Sequence, residues 1–388
     1  MSDPDQPGPL SGLLVADFSR VLAGPYCTML LADLGADVIK VESPAGDDTR
    51  SWVPPVTDDG VSTYFLAINR NKRSVALDLK NERDLAMAKE LARRADVFVQ
   101  NFKPGGLTRY GLDYDSVSAG NPSIIYASIS GFGSSGGKDL PGYDLMVQAM
   151  SGLMSLTGDP DGPPYRAGIS AFDVIAGLHT TIAILAALNH RNATGEGQHL
   201  DASLMASAMS GMVNQTSAYA AGGVVPFRMG NSHPSLFPYE PLPTGEGDLI
   251  VTAGNDAQFR KLCDVLGAPE LPDDPMFATN PGRTANRDKL RPLLAEKLAA
   301  RSAAEWFEAM IAVGVPCGPI NTVDKGIEFA QKIGLEPIVT AGPPGRTRPA
   351  MRHPVTFSKT PASYPLAPPE LDEHGEAIRA WLTAKEDG

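Results

Sequence analysis

The fold class follows from residues 13–42, which read LLVADFSRVLAGPYCTMLLADLGADVIKVE. This segment predicts a buried strand over 13–19, a helix beginning near YCTML, and a second strand over 36–42. Pro25 stands in the first helical turn and Gly35 just past the helix end, an asymmetry that marks helix boundaries. Residues 13–42 therefore indicate a β-α-β unit.

The alternation of strand and helix continues along the chain. SVALDLK (74–80) and DVFVQNF (96–102) are predicted strands, and Asn81 can cap the amphipathic helix between them. SIIYASISGFG (123–133) completes the series. Apolar strands that alternate with amphipathic helices predict an α/β fold with a mostly parallel sheet, whose ligands collect at the carboxyl ends of the strands.

The 388 residues divide into a larger and a smaller domain. A long apolar helix near 172–189 is predicted to be buried in the core or between subunits. A turn-rich stretch, RNATGEGQHLDAS (191–203), and another helix over about 204–219 are expected to follow, before a run rich in glycine and proline breaks the rhythm. We expect the first part of the large domain over 1–205, a linker over 206–225, a small α+β domain over 226–325, and a return segment with a C-terminal helix over 326–388.

Charge and cysteine content argue against several classes of protein. The 33 Lys and Arg against 45 Asp and Glu give a net charge of -12, so no global basic field favours nucleic acid or an anionic membrane. Cys27, Cys263 and Cys317 are far apart and predict neither a disulfide framework nor a zinc site. The N-terminus shows no signal-peptide pattern, and the apolar stretch 174–188 is too short and too polar to span a bilayer. We therefore expect a cytoplasmic protein.

A glycine motif, GFGSSG at 131–136, fits the spacing GxGxxG directly after a predicted strand. A dinucleotide site would need its last glycine to open a helix, but Gly137, Pro141 and Gly142 follow. A loop on the substrate side of the sheet is the better interpretation.

Basic residues gather at two predicted strands. Arg70, Lys72 and Arg73 precede one strand, and Lys103 and Arg109 follow another. These cations could bind ligand phosphates, or they could be solvated surface charges, and the sequence leaves both interpretations open.

The carboxylate of Asp173 lies in the first turn of the most apolar helix. Ser170 and Asp173 match a Ser-x-x-Asp capping box, which is the more ordinary interpretation. A carboxylate fixed at a helix start and shielded from water would also suit a covalent nucleophile. None of the six histidines stands at metal-ligand spacing with another, so no metal site is predicted.

Several long ordered blocks resemble the family III CoA-transferases, a family that includes formyl-CoA transferase, carnitine CoA-transferase and the alpha-methylacyl-CoA racemases. The resemblance runs almost end to end. Its blocks are DFSRVLAGPYCTMLLADLGADVIKVE, YFLAINRNKRSVALDLK, DVFVQNFKPGGLTRYGLDY, PGYDLMVQAMSGLMSLTG, AALNHRNATGEGQHLDASLM and GVPCGPINTV.

The resemblance implies a fold, an assembly and a set of site residues. The large domain would be Rossmann-like and built from both termini, and two chains would form an interlocked homodimer. Asp173 would be the catalytic nucleophile, with Tyr143 close by. The residues implied to contact CoA are Val21, Ala23, Lys72, Asn101, Phe102 and Arg109.

The expected activity is transfer of CoA from an acyl-CoA to a small carboxylic acid, with CoA as substrate and no permanently bound cofactor. The racemases of this family carry histidine where Tyr143 stands, and a phenol with a reference pKa of about 10 is a poor base. Transfer is therefore favoured over racemisation. An acyl-CoA racemase or epimerase, a non-catalytic CoA-binding dimer and, more remotely, a nicotinamide oxidoreductase are the alternatives.

Overall fold

The computed structural model describes residues 8–384. The prediction that the N-terminus carries no signal peptide concerns residues that lie partly outside this range. The chain divides into two units. The first contains the described residues up to Leu153, then Ala167–Val224, and those from Glu336 onward; the second contains Met154–Arg166 and Val225–Leu335. The segment 154–166, which the sequence places with the large domain, thus groups with the second unit.

The first unit contains a six-stranded parallel sheet, which confirms the predicted α/β class. Its strands are β1 (Leu14–Asp17), β2 (Asp37–Glu42), β3 (Lys72–Ala76), β4 (Val97–Gln100), β5 (Ile125–Ser130) and β6 (Gln198–Ser203). Their order is β3-β2-β1-β4-β5-β6, so the chain moves outward from β1 in both directions. Such a reversal of strand order leaves a crevice at the carboxyl edge of the sheet.

Helices of the first unit pack against this sheet. The helices before residue 225 are α1 (Ala23–Asp33), α2 (Thr63–Ile68), α3 (Glu82–Arg94), α4 (Tyr114–Gly120), α5 (Asp144–Met150), α6 (Leu153–Leu156), α7 (Ala171–Thr194), α8 (Leu204–Gly211) and α9 (Val213–Gly222). All belong to the first unit except α6, which lies mostly in the second. Short 3-10 turns occur at Asp48–Ser51 and Thr108–Tyr110.

Two hydrophobic clusters hold the helices to the sheet. One contains Cys27 and Leu31 of α1, Val99 of β4 and Ile184 of α7, all buried. Each large aliphatic side chain buried in this way contributes roughly 1.5 to 3 kcal/mol. The other cluster joins the sheet to α3, where Asn81 caps the helix as predicted by accepting from the backbone N–H groups of the first turn.

Helix α7 contains 24 residues and extends beyond the predicted apolar stretch. By length and composition alone it could cross a membrane, which the shorter stretch could not, although a helix packed in a protein core meets the same criterion. It packs against α1, and Ala176 and Ile184 are fully buried. Ile182 is 64% exposed, so within this chain α7 is not buried on all sides.

The second unit contains a smaller antiparallel sheet with strand order β7-β8-β9. Its strands are β7 (Tyr239–Pro243), β8 (Asp248–Thr252) and β9 (Cys317–Pro319), and its helices are α10 (Asp256–Leu266), α11 (Asn280–Ala285), α12 (Arg287–Leu298), α13 (Ala303–Ala312) and α14 (Val323–Lys332), with a 3-10 turn at Leu271–Asp273. Phe259 and Trp306 belong to its own buried cluster. The chain then returns through an antiparallel hairpin, β10 (Ile338–Ala341) and β11 (Arg348–Met351), to α15 (Gly375–Thr383) in the first unit.

Three local expectations are wrong. Strand β3 ends at Ala76, not at residue 80. The segment 198–203, read as part of a turn-rich stretch, is strand β6 and pairs with β5. The single helix expected over about 204–219 is two helices, α8 and α9, separated at Met212.

Candidate active site

The carboxyl edge of the sheet opens into a cavity of about 430 Å³ beside β1, β4 and β5. Its walls come from the loops that follow these three strands, from the 3-10 turn at Asp48–Ser51, and from the first turns of α1, α7 and α8. The lining includes Arg20, Val21, Ala23, Asp48, Asn101, Phe102, Lys103, Ser130, Asp139, Gly142, Tyr143 and Asp173. The cavity lies where the order of the strands reverses, which is where open α/β sheets bind ligands.

The family resemblance implied eight catalytic or CoA-binding residues, and six of them lie together on this cavity. They are Val21, Ala23, Asn101, Phe102, Tyr143 and Asp173. The glycine-containing loop after β5 also contributes to the wall, through Gly131 and Gly142. No helix begins in this loop before α5 starts at Asp144, in keeping with a loop on the substrate side of the sheet.

Lys72 does not line this cavity. Its side chain is fully buried in β3, and Nζ donates to Asp17 Oδ2 at 3.1 Å, to the Pro25 carbonyl at 2.9 Å and to Asn69 Oδ1 at 3.1 Å. Burial lowers the pKa of Lys72 to about 8. The ammonium group thus joins the end of β1 to the first turn of α1, beneath the cavity.

The remaining basic residues also have partners. Arg109 is exposed on a 3-10 turn, with its guanidinium 4.6 Å from the centre of the Tyr110 ring, and it does not line the cavity. Arg70 forms a buried ion pair with Asp33 at 2.6 Å. Arg70 and Lys72 therefore serve the packing of this chain, and Arg73 pairs with Asp37 at the surface.

The start of α7 is capped from another helix. Asp144 Oδ1, in the first turn of α5, accepts from the backbone N–H of Phe172 at 2.7 Å and of Asp173 at 3.1 Å. Ser170 makes no side-chain capping bond, so the Ser170–Asp173 capping box suggested by the sequence does not form. The Asp173 carboxyl is consequently not used as a cap.

The Asp173 carboxyl is half-buried in the cavity wall. Burial, together with the negative charge of Asp144, raises its pKa to about 7. Among the described residues, none donates a hydrogen bond to this carboxyl within ordinary distance. A shifted carboxyl in a cavity is a typical feature of a functional site, and its raised pKa makes the ionised form a stronger nucleophile.

The loop after β1 is held in an unusual conformation. Val21 has a φ of 68°, in the left-handed region that a β-branched residue rarely adopts. Asn101 fixes the preceding residue, since its Oδ1 accepts from Arg20 N at 2.8 Å and its Nδ2 donates to Arg20 O at 2.7 Å. Backbone strain of this kind clusters at ligand sites, where surrounding contacts maintain it.

A buried network of charges lies under the same loop. Lys40 Nζ donates to Asp47 Oδ2 at 2.8 Å and to the Ser19 carbonyl at 3.1 Å. Asp47 also accepts from Val21 N at 3.4 Å. Burial opposes ionisation of Asp47, but the charge of Lys40 and hydrogen bonds from Lys40 and Thr49 keep the pKa of Asp47 below its usual range.

Sequence reasoning missed Arg20, Asp48 and Asp139 as cavity residues, whereas it singled out Lys103 as a possible phosphate ligand. These residues form two exposed ion pairs, Arg20–Asp48 at 3.3 Å and Lys103–Asp139 at 2.9 Å. The position of Arg20 shortly after the end of β1 was a signal that could have found it. Within residues 8–384 no group of three or more His, Cys, Asp or Glu is arranged to hold a metal ion.

A carboxylate held on a rigid helix at the carboxyl edge of a parallel sheet is the arrangement of an α/β enzyme that uses an acidic residue. Comparison with known proteins narrows this class. The sequence profile of CoA-transferase family III matches residues 10–375. The chain therefore belongs to CoA-transferase family III, as its sequence blocks suggested.

Named relatives are similar over nearly their whole length. A succinate–glutarate CoA-transferase of Agrobacterium fabrum is 43% identical over 98% of this chain and 97% of the relative. An acetyl-CoA:oxalate CoA-transferase of Acetobacter aceti is 41% identical over 98% and 97%. The crystal structure of a CaiB/BaiF family protein from Brucella suis matches with a TM-score of 0.88 and 44% identity, covering 97% of this chain and all of that one.

Proposed function

We propose that this enzyme transfers CoA from an acyl-CoA to a carboxylic acid through covalent intermediates on Asp173. The observation that carries the proposal is the Asp173 carboxyl itself. It lies in the wall of the cavity, Asp144 caps the helix in its stead, and its pKa is raised to about 7. Relatives that bear the names of CoA-transferases support the reaction class.

In the first half-reaction, a carboxylate oxygen of Asp173 attacks the thioester carbonyl carbon, and the carbon–sulfur bond breaks. The products are a mixed anhydride and CoA thiolate. The thiolate then attacks the Asp173 carbonyl, releasing the donor acid and leaving an aspartyl-CoA thioester. No redox change or net proton transfer is needed, because each step exchanges one acyl bond for another.

In the second half-reaction, the acceptor carboxylate attacks the Asp173 carbonyl and displaces the thiolate. The resulting anhydride joins the acceptor acid to Asp173. The thiolate then attacks the acceptor carbonyl, which yields the new acyl-CoA and frees the Asp173 carboxylate. Water must be kept from these intermediates because it would hydrolyse them, and a half-buried position of Asp173 favours this.

Two exposed ion pairs suggest how the anionic groups of the substrates are held. Arg20 and Lys103 line the cavity, each paired with an acid that is itself more than half exposed. Exposed pairs contribute only about 0 to 1 kcal/mol, so a substrate phosphate or carboxylate can replace the acidic partner. We place the acyl-CoA along Val21, Ala23, Asn101 and Phe102, with these cations within reach of its charged groups.

The acceptor that we propose is a dicarboxylic acid of the succinate or glutarate kind. Relatives at 43% and 40% identity are named for transfer between these two acids, and both alignments cover nearly all of this chain. The interlocked homodimer and the cytoplasmic location stay predictions.

The test is a transfer assay with succinyl-CoA and glutarate, in which glutaryl-CoA is separated by chromatography. The wild-type enzyme should form glutaryl-CoA, and Asp173→Asn should not. Asp115→Asn is the matched control, because Asp115 is an exposed acid in the first turn of α4. Deuterium exchange at the α-carbon of a 2-methylacyl-CoA, without CoA transfer to any acid of a broad panel, would instead favour the racemase.

A further inference from the structure

Asp144 lies between two cavity residues, Tyr143 beside it in the chain and Asp173 at the start of α7. It follows Tyr143 in the chain and begins α5, while its carboxylate reaches the first turn of α7. The side chain is only 7% exposed, and both of its oxygens have partners. Asp144 therefore links α5 to the helix that carries Asp173.

Gln148 supports Asp144 one turn further along α5. Its Nε2 donates to Asp144 Oδ2 at 2.5 Å and to the Ile169 carbonyl at 3.1 Å. Its Oε1 accepts from Ala167 N at 2.9 Å. Gln148 is 1% exposed, so Asp144 and Gln148 together fix the chain from Ala167 to Asp173 within a buried set of hydrogen bonds.

We propose that Asp144 is a positioning residue for Asp173. With Gln148 behind it, Asp144 supplies the cap of α7, holds the first turn of that helix at the cavity wall, and leaves the Asp173 carboxyl free to react. This inference rests on the proposed role of Asp173 as nucleophile. Where α3, α4 and α10 have a side-chain cap, it comes from their own N-cap residue, whereas the cap of α7 comes from another helix.

The charge of Asp144 has a second consequence, because a like charge disfavours ionisation of its neighbour. Other titratable groups near the start of α7 are Tyr143, directly before α5, Tyr64 on α2, and the cavity residues Arg20, Asp48, Lys103 and Asp139. Tyr26 lies on α1, which packs against α7. Burial raises the pKa of Tyr64 and Tyr26, so both are neutral near pH 7. Helix α8 contains no titratable side chain. Burial raises the pKa of Asp173 most, and the charge of Asp144 raises it further.

Two substitutions separate the cap from the charge. Asp144→Asn keeps an oxygen that can accept from the two backbone N–H groups but removes the charge, whereas Asp144→Ala removes both. Asp115→Asn is the matched control for loss of a first-turn acid elsewhere. All are made in the full-length protein.

The first measurement is a ¹³C NMR titration of protein labelled at the aspartate carboxyl carbon, with the Asp173 signal identified by its absence from Asp173→Asn. We expect the midpoint of Asp173 to fall by roughly half to one pH unit in Asp144→Asn and to stay unchanged in Asp115→Asn. A purely structural role would not move this midpoint.

The second measurement is the rate at which succinyl-CoA forms a covalent adduct, followed by mass spectrometry. Asp144→Ala should react at least about tenfold more slowly, since a displaced nucleophile loses rate steeply, and Asp144→Asn should keep a rate within about threefold of wild type. If Asp144→Ala does not fold, Gln148→Leu removes the support of Asp144 and should show the same loss.

A wild-type midpoint in Asp144→Asn, or a wild-type adduct rate in Asp144→Ala, would overturn the positioning role. If the wild-type enzyme itself forms no adduct with any acyl-CoA, the proposed function fails. In that case the NMR midpoint alone decides whether Asp144 acts on Asp173.

Discussion

Asp144 Oδ1 accepts the backbone N–H of Asp173 at 3.1 Å, although the two residues are 29 positions apart in the chain. The same oxygen accepts the N–H of Phe172 at 2.7 Å. An acid in the first turn of a helix is usually explained by capping, and here a different acid provides the cap. Because Asp144 caps α7, the Asp173 carboxyl is not needed as a cap and lines the cavity instead.

Replacement of Asp173 by Asn should abolish CoA transfer while leaving the fold intact. The amide matches the carboxyl in size but cannot form an anhydride, so the rate should fall at least about 1000-fold. Initial rates of glutaryl-CoA formation, with circular dichroism as the folding control, measure this. Retention of more than a tenth of the wild-type rate would contradict the nucleophile assignment.

Transfer should depend on pH through Asp173. Its pKa is raised to about 7, and only the carboxylate can attack, so kcat/KM should rise with pH and level off above about pH 8. At pH 5 the rate should be about 100-fold below the plateau, because about one carboxyl in a hundred is then ionised. A profile that is flat between pH 5 and pH 8, in buffers of constant ionic strength, is incompatible with this nucleophile.

Asp173 should also make stability depend on pH. Its pKa is raised on folding, so the native state binds more protons than the unfolded state between about pH 4 and pH 7, and stability falls as pH rises through this window. The amide introduced by Asp173→Asn does not titrate. The Tm of this variant relative to wild type should therefore increase from pH 5 to pH 8. An equal difference in Tm at both values would show that Asp173 is not shifted in the folded protein.

Lys72 should matter more for stability than for CoA binding. Lys72→Met leaves the buried Asp17 without its ion pair, which should lower the free energy of unfolding by about 3 kcal/mol. Urea unfolding measures this, and Lys89→Met, at an exposed position of α3, should change it by less than about 0.5 kcal/mol. Weakened CoA binding with unchanged stability would instead support the CoA contact that the family resemblance implies.

Asn101 should affect CoA binding through the loop after β1. Asn101→Ala removes two hydrogen bonds to the backbone of Arg20, each contributing about 1 kcal/mol, and the strained Val21 can then relax. We expect the Kd for CoA, measured by calorimetry, to rise roughly tenfold. Asn121→Ala is the control, because it loses side-chain hydrogen bonds to the backbone carbonyls of Ala92 and Ala95 at the C-terminal end of α3. An equal loss of affinity there would argue against a local effect of the loop after β1.

The first β-α-β unit could be predicted from sequence because its signals are local. Buried apolar runs, Pro25 in the first helical turn and Gly35 after the last one are sufficient to indicate β1, α1 and β2. Strand β6 was missed because it is short, contains the exposed polar residues His199 and Asp201, and directly follows Gly195 and Gly197, which indicate a turn. Its strand conformation depends on pairing with β5, which is distant in sequence.

The candidate site was predictable in its residues but not in their relationships. Family resemblance pointed to Asp173 and Tyr143, and both line the cavity. The burial of Lys72 follows from Asp17, 55 residues away, and the cap at Asp173 follows from Asp144. Such long-range partners leave no periodic or local signal, so only the folded structure could reveal them.

The most direct test is to find the covalent intermediate on Asp173. Wild-type enzyme and Asp173→Ala are incubated with a panel of acyl-CoAs that includes succinyl-CoA, treated with borohydride, digested and mapped by mass spectrometry. We predict a reduced side chain at Asp173 in the wild-type enzyme and no change elsewhere or in the variant. An unmodified Asp173 peptide across the whole panel, with CoA binding shown intact, would contradict the covalent role of this residue.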